Sequence, residues 1–68
     1  MNDYGVFKTN DDGTETWVTA VSPDTQLGSI TDAIDDWSYA EAITVAGYLN
    51  GSNEVTFAPG RPKDRQPK

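Results

Sequence analysis

The sequence predicts a small α+β fold, a largely antiparallel sheet of three strands, or four, with one α-helix packed on it. The expected order is β-β-(β or loop)-α-β, followed by a disordered C-terminal tail. Three observations predict it. Asp12-Gly13 separates two runs of strand-forming residues, a capping box opens an amphipathic stretch at Ser38, and Pro59-Gly60 closes a short run containing Val55, Thr56 and Phe57. With 68 residues the chain has the length of one domain, placed at residues 1–58, with residues 59–68 as a flexible basic Pro-rich tail.

Tyr4 to Asn10 and Thr14 to Val21 read as the two strands of a hairpin. Asn10-Asp11-Asp12-Gly13 supplies the turn, because a tight reversal needs positive φ, which Gly and Asp tolerate best. Along the second strand Trp17, Thr19 and Val21 fall on one face and Thr16, Val18 and Ala20 on the other. Neither face is strongly polar. Both therefore need cover, from the helix on one side and from a partner or an aromatic ring on the other. Ser22-Pro23-Asp24-Thr25 breaks the strand, since Pro cannot donate to a ladder. Leu27 to Trp37 supports two readings. Ser29 and Asp32 have the spacing of a helical cap, which would align Ile30, Ile34 and Trp37; β-branched Ile30, Thr31 and Ile34 equally suit a short edge strand. A short strand or irregular loop is the expectation taken forward.

Ser38 to Gly51 carries both a start and a stop for one helix. Ser38 and Glu41 form an S-x-x-E capping box, Trp37 precedes it as an apolar staple, and Asn50-Gly51 provides the exit. Tyr39, Ala42, Ile43, Ala46 and Leu49 repeat at helical spacing and form the expected buried face, with Val45 at its edge. A helix of this length is marginal alone in water, so it needs the sheet. Glu54 to Ala58 reads as the last strand. Beyond it, Arg61 to Lys68 offers no large apolar side chain as an anchor and is expected to be disordered when free.

Composition narrows the chemistry. The chain has no cysteine and no histidine, so disulfides and Cys/His zinc sites are excluded as staples. A chain this short buries only about 60% of its unfolded surface. Aromatic packing must compensate, or else a partner, and a homodimer is one such route. No Gly-rich phosphate loop occurs, and Lys8 is the only lysine outside the tail that could activate a Ser or Thr. Asn10-Asp11-Asp12-Gly13 lacks the spacing and late Glu of a calcium loop. Asp32, Asp35, Asp36 and Glu41 are better explained by the positive end of a helix than by acid/base catalysis. The expectation is a non-enzymatic protein without cofactor or metal. Met1-Asn2-Asp3-Tyr4-Gly5 has no leader character and no apolar run approaches membrane-spanning length, so a soluble, cytoplasmic protein is expected.

Charge is unevenly placed. Residues 1–57 hold ten acids against Lys8 alone, whereas Arg61, Lys63, Arg65 and Lys68 face only Asp64 in the remainder, within a net charge of −6. An acidic body disfavours direct nucleic-acid binding and favours a basic protein surface. The candidate partner-binding residues are therefore the acidic strip Asp32, Asp35, Asp36 and Glu41, and the basic set Arg61, Lys63 and Arg65. The strip has the chemistry to imitate a phosphate backbone; solvation and helix capping account for the same residues.

The second half resembles the short RNA-polymerase-inhibiting proteins of T7-like bacteriophages. The resemblance rests on Glu41-Ala42 with Ala46 four residues on, then Glu54-Val55-Thr56, Arg61-Pro62 and the ending Pro67-Lys68. It implies a strand-rich fold with one helix, no catalytic activity, and binding to a jaw of the host polymerase that blocks promoter DNA. It also implies host cytoplasm as the place of action. Of the two arginines which that family places on its final strand, Arg61 alone is carried over. The expected function is a small acidic protein-binding module, phage-encoded, that inhibits or modulates RNA polymerase or another nucleic-acid enzyme. The alternative is an assembly protein that self-associates through an apolar sheet face.

Overall fold

The computed structural model describes residues 2–51 and 56–65. It is an α+β protein: a four-stranded antiparallel sheet with one main helix. The strands are β1 (Gly5–Thr9), β2 (Glu15–Ala20), β3 (Gln26–Gly28) and β4 (Phe57–Gly60), in the spatial order β3-β2-β1-β4. Helix α1 (Tyr39–Asn50) lies over β1 and β4, and a single helical turn, α2 (Pro62–Arg65), follows the last strand.

The hairpin is built as the turn residues require. Gly13 takes φ 87°, and the Gly13 N–H donates to the Asn10 carbonyl at 2.9 Å. Asp12 accepts from the Thr14 amide at 3.0 Å and from its hydroxyl at 2.6 Å, which holds the Asp12 carboxyl below its ordinary pKa. β1 and β2 then pair Phe7 with Trp17, Lys8 with Thr16 and Thr9 with Glu15.

Residues 26–37 hold a short strand and a helical turn, but the strand lies before Ile30, Thr31 and Ile34 rather than on them, and the turn ends at Asp32 without carrying on to Ile34 and Trp37. Gln26–Gly28 adds a short edge strand on β2, with a register shift between Val18 and Ala20, and Ile30–Asp32 forms one 3-10 turn. Ser29 precedes that turn but makes no side-chain cap. Beyond it the chain is pinned twice to the sheet. The Ile34 N–H donates to the Val18 carbonyl at 3.0 Å, and Tyr4 and Trp37 exchange backbone hydrogen bonds of 2.9 and 3.1 Å.

Helix α1 starts and stops where expected. The Glu41 N–H donates to the Ser38 hydroxyl and the Ser38 N–H to the Glu41 carboxylate, both at 3.2 Å. Gly51 takes positive φ at the exit. The buried face, however, is narrower than the apolar pattern suggested. Ala42 and Ala46 are buried, with Val45 and Leu49 packed beside them, whereas Tyr39 and Ile43 are exposed. The two alanines permit close approach to Val6 and Val18; Ile43 is left at the rim of so narrow a sheet, and Tyr39 meets it only through the edge of its ring on Tyr4, with centroids 5.2 Å apart.

The opposite face of the sheet is covered by the chain itself. Trp17 and Phe7 stack with centroids 4.8 Å apart, and Gly60 lies against both rings. The last strand thus runs to Gly60 rather than ending before Pro59-Gly60; residues 54 and 55 of the expected strand lie outside the described residues. Pro59 pairs with Val6 on an edge strand, where a missing N–H is tolerated. The chain then turns at Arg61, and Pro62 is buried against Gly5. Of the residues expected in the tail, 59 and 60 thus belong to the last strand and 62–65 form a helical turn anchored by buried Pro62; residues 66–68 lie outside the described residues. Asn50 joins helix to sheet by accepting from the Phe57 N–H and donating to the Phe57 carbonyl.

Candidate interaction surface

The segment leading into α1 holds the acidic strip. Asp35 and Asp36 stand between the two pinned points, Ile34 and Trp37, so an anchored backbone carries their exposed side chains. Asp32 ends the 3-10 turn and is exposed as well. Glu41 is exposed in the first turn of α1, and its carboxylate is engaged in the capping box. The structure thus separates the four. Asp32, Asp35 and Asp36 are presented to solvent, while Glu41 also caps the helix.

The basic candidates behave differently. Arg61 Nε lies 3.1 Å from Asp3 and 3.3 Å from Asp64. Arg65 clasps Glu15 through Nε and Nη2 and sets its guanidinium over the Phe7 ring, 4.4 Å from the centroid. Only Lys63 of the three is exposed without an ion pair among the described residues. Arg61 and Arg65 therefore neutralise Asp3, Glu15 and Asp64. Among the described residues no cation reaches Asp32, Asp35 or Asp36.

Hydrogen bonds from Arg65 hold the Glu15 carboxyl below its ordinary value of 4.5, against the opposing effect of burial. A lowered folded-state pKa adds stability above the unfolded value, and that stability is lost as pH falls through the folded one. Glu15→Gln should thus cost no more than about 1 kcal/mol at neutral pH, because the pair is partly exposed. The difference from the parent should vanish in acid. Urea titrations at the two pH values check this, and a pH-independent gap would assign the cost to packing.

Two concavities flank the strands and helix. One, of about 370 Å³, is lined by Trp37, Ala40, Glu41, Thr44 and Val45 along the side of α1. The other, of about 720 Å³, is lined by Phe7, Lys8, Thr9, Asn10, Asp11, Thr56 and Ala58. Among the described residues no three acidic side chains converge as metal ligands, and no helix is long and apolar enough to cross a membrane. Sequence reasoning missed the first concavity, because it took the apolar residues of α1 to be spent on the core.

Fold and surface define a class, an α+β protein with a one-sided main helix and an acidic approach to it. Comparison with protein-family models, curated proteins and solved structures gives no match.

Proposed function

We propose that the chain is a small acidic, non-enzymatic binding module that acts in the cytoplasm on a nucleic-acid enzyme. It occupies a basic surface that would otherwise take nucleic acid. The single observation that carries this is the exposed strip Asp32, Asp35 and Asp36, which no cation among the described residues reaches and which runs into the backbone pinned at Ile34 and Trp37, while Arg61 and Arg65 pair with acids elsewhere. Such an arrangement presents closely spaced negative charge at little ordering cost, as a phosphate backbone does. Resemblance to the phage inhibitors supports bacterial RNA polymerase as the first member of that class to test.

The alternative, assembly through an apolar sheet face, lacks such support. Val6, Phe7, Trp17 and Val18 are all buried within the chain.

The test is promoter-DNA binding by purified bacterial RNA polymerase, titrated with the protein. Loss of DNA binding is expected, weakened by added salt and by Asp32→Asn, Asp35→Asn and Asp36→Asn together. Glu41 is left intact in that variant because it caps α1. Unchanged DNA binding at micromolar protein would overturn the polymerase assignment.

A further inference from the structure

The outer face of α1 is unlike a helix surface built only for water. Of its twelve residues Glu41 alone is charged, and Tyr39, Ile43 and Tyr48 are 55%, 45% and 82% exposed. Between them lies a floor of small residues, Ala40, Thr44 and Gly47, at i, i+4 and i+7. The Thr44 hydroxyl donates back to the Ala40 carbonyl at 3.0 Å, so its polar group is already satisfied. Among the described residues Gly47 has no partner that requires it. A Cβ built there meets nothing within 4 Å, and its φ is not positive, so alanine would fit and would favour the helix. The described residues give no reason for a glycine here; close approach by an outside element supplies one.

We propose that this face is a docking groove for an amphipathic helix of a partner protein whose apolar stripe is flanked by Lys and Arg. The proposal rests on the acidic strip meeting a basic partner and names the element that partner presents. Small residues at helical spacing let a second helix approach closely, with the aromatic side chains on either side. Charge selects the occupant. Glu41 stands in the wall of the concavity beside Trp37, Asp35 and Asp36 lie just before the helix, and α1 carries no cation. A second copy of the chain, with net charge −6, would set acid against acid; a basic helix complements the surface.

The probe is a synthetic peptide of Leu and Lys patterned as an amphipathic helix, compared with a scrambled peptide of the same composition. Affinity is read by fluorescence polarisation. The patterned peptide should bind at least about tenfold tighter than the scramble. Ile43→Asp should weaken it by a similar factor even though it adds an acid, whereas Leu27→Asp, on the exposed edge strand, should leave it unchanged. Gly47→Leu should raise the melting temperature and yet weaken binding, a combination that loss of folding cannot produce. Equal binding of the scramble, or undiminished binding by Ile43→Asp and Gly47→Leu, would overturn the docking groove. If only the Asp35→Asn, Asp36→Asn variant weakens binding, the acidic strip stands and the groove falls. Loss with Ile43→Asp alone leaves the groove standing and removes the strip.

Discussion

Trp17→Ala is expected to leave the chain largely unfolded at 25 °C. Trp17 is completely buried, its ring stacks on Phe7, and Gly60 lies within van der Waals reach of it. Truncating a buried Trp costs about 3–5 kcal/mol, through lost transfer free energy and the cavity left behind. A domain of this length has only about 3–10 kcal/mol of total stability. The two quantities are comparable, so one substitution on the face away from α1 should remove most of the folded population. Trp17→Phe keeps a ring on Phe7 and should cost much less. Far-UV circular dichroism with a urea titration separates the variants, and emission from Trp37 provides an independent probe. If Trp17→Ala melted within a few degrees of the parent, the aromatic stack would not be a second core.

Gly5→Ala should be nearly as damaging, for a different reason. A Cβ at Gly5 would collide with the Ile34 carbonyl oxygen and lie 3.5 Å from Pro62. The nearer obstacle is backbone, not a side-chain end that can swing aside. Ile34 is held there by its own N–H bond to Val18, and the next anchored residue, Trp37, immediately precedes Ser38, the N-cap of α1. Relief of the clash must therefore move the approach to the helix or push β1 from its place. A cost of about 3 kcal/mol, at the upper end for overpacking, is expected. Hydrogen exchange at the Ile34 and Trp37 amides should accelerate in step with the loss of stability. Gly47→Ala is the internal contrast: the same added methyl, in open space on a helix, should stabilise the protein by up to about 1 kcal/mol. Equal destabilisation by the two would contradict the packing described for Gly5.

These contrasts show what was legible in the sequence. The hairpin and α1 were, because their signals are local: Asp12-Gly13 sets the reversal, and Ser38 and Glu41 bond within four residues of one another. The last strand was shifted, because Pro59-Gly60 has the composition of a strand end. What makes Gly60 a strand residue is the pair of rings from Phe7 and Trp17 more than forty positions away in sequence. Arg65 is a similar case, since its partner Glu15 lies fifty residues earlier. The breadth of the helix face was also misjudged. Tyr39 and Ile43 fit an apolar arc by spacing, but spacing carries no information on the width of the surface that receives the helix.

The candidate surface was half legible. Asp32, Asp35, Asp36 and Glu41 stand out from charge alone, but only the structure shows Asp35 and Asp36 on the backbone pinned at Ile34 and Trp37, Asp32 at the end of a 3-10 turn, and Glu41 tied to Ser38. The basic residues, which sequence places in one group, are divided by the fold. Arg61 and Arg65 hold the C-terminal segment on the sheet, and Lys63 faces solvent. Arg65→Ala would therefore test packing over Phe7 before it tested any partner.

The most direct measurement is affinity purification of the tagged protein from bacterial lysate at low salt, set beside the Asp32→Asn, Asp35→Asn, Asp36→Asn variant, with bound proteins identified by mass spectrometry. The account predicts a stoichiometric nucleic-acid enzyme that is released both by salt and by added duplex DNA, and that the variant fails to retain. A partner that the variant retains undiminished, or the absence of any stoichiometric partner, would contradict it.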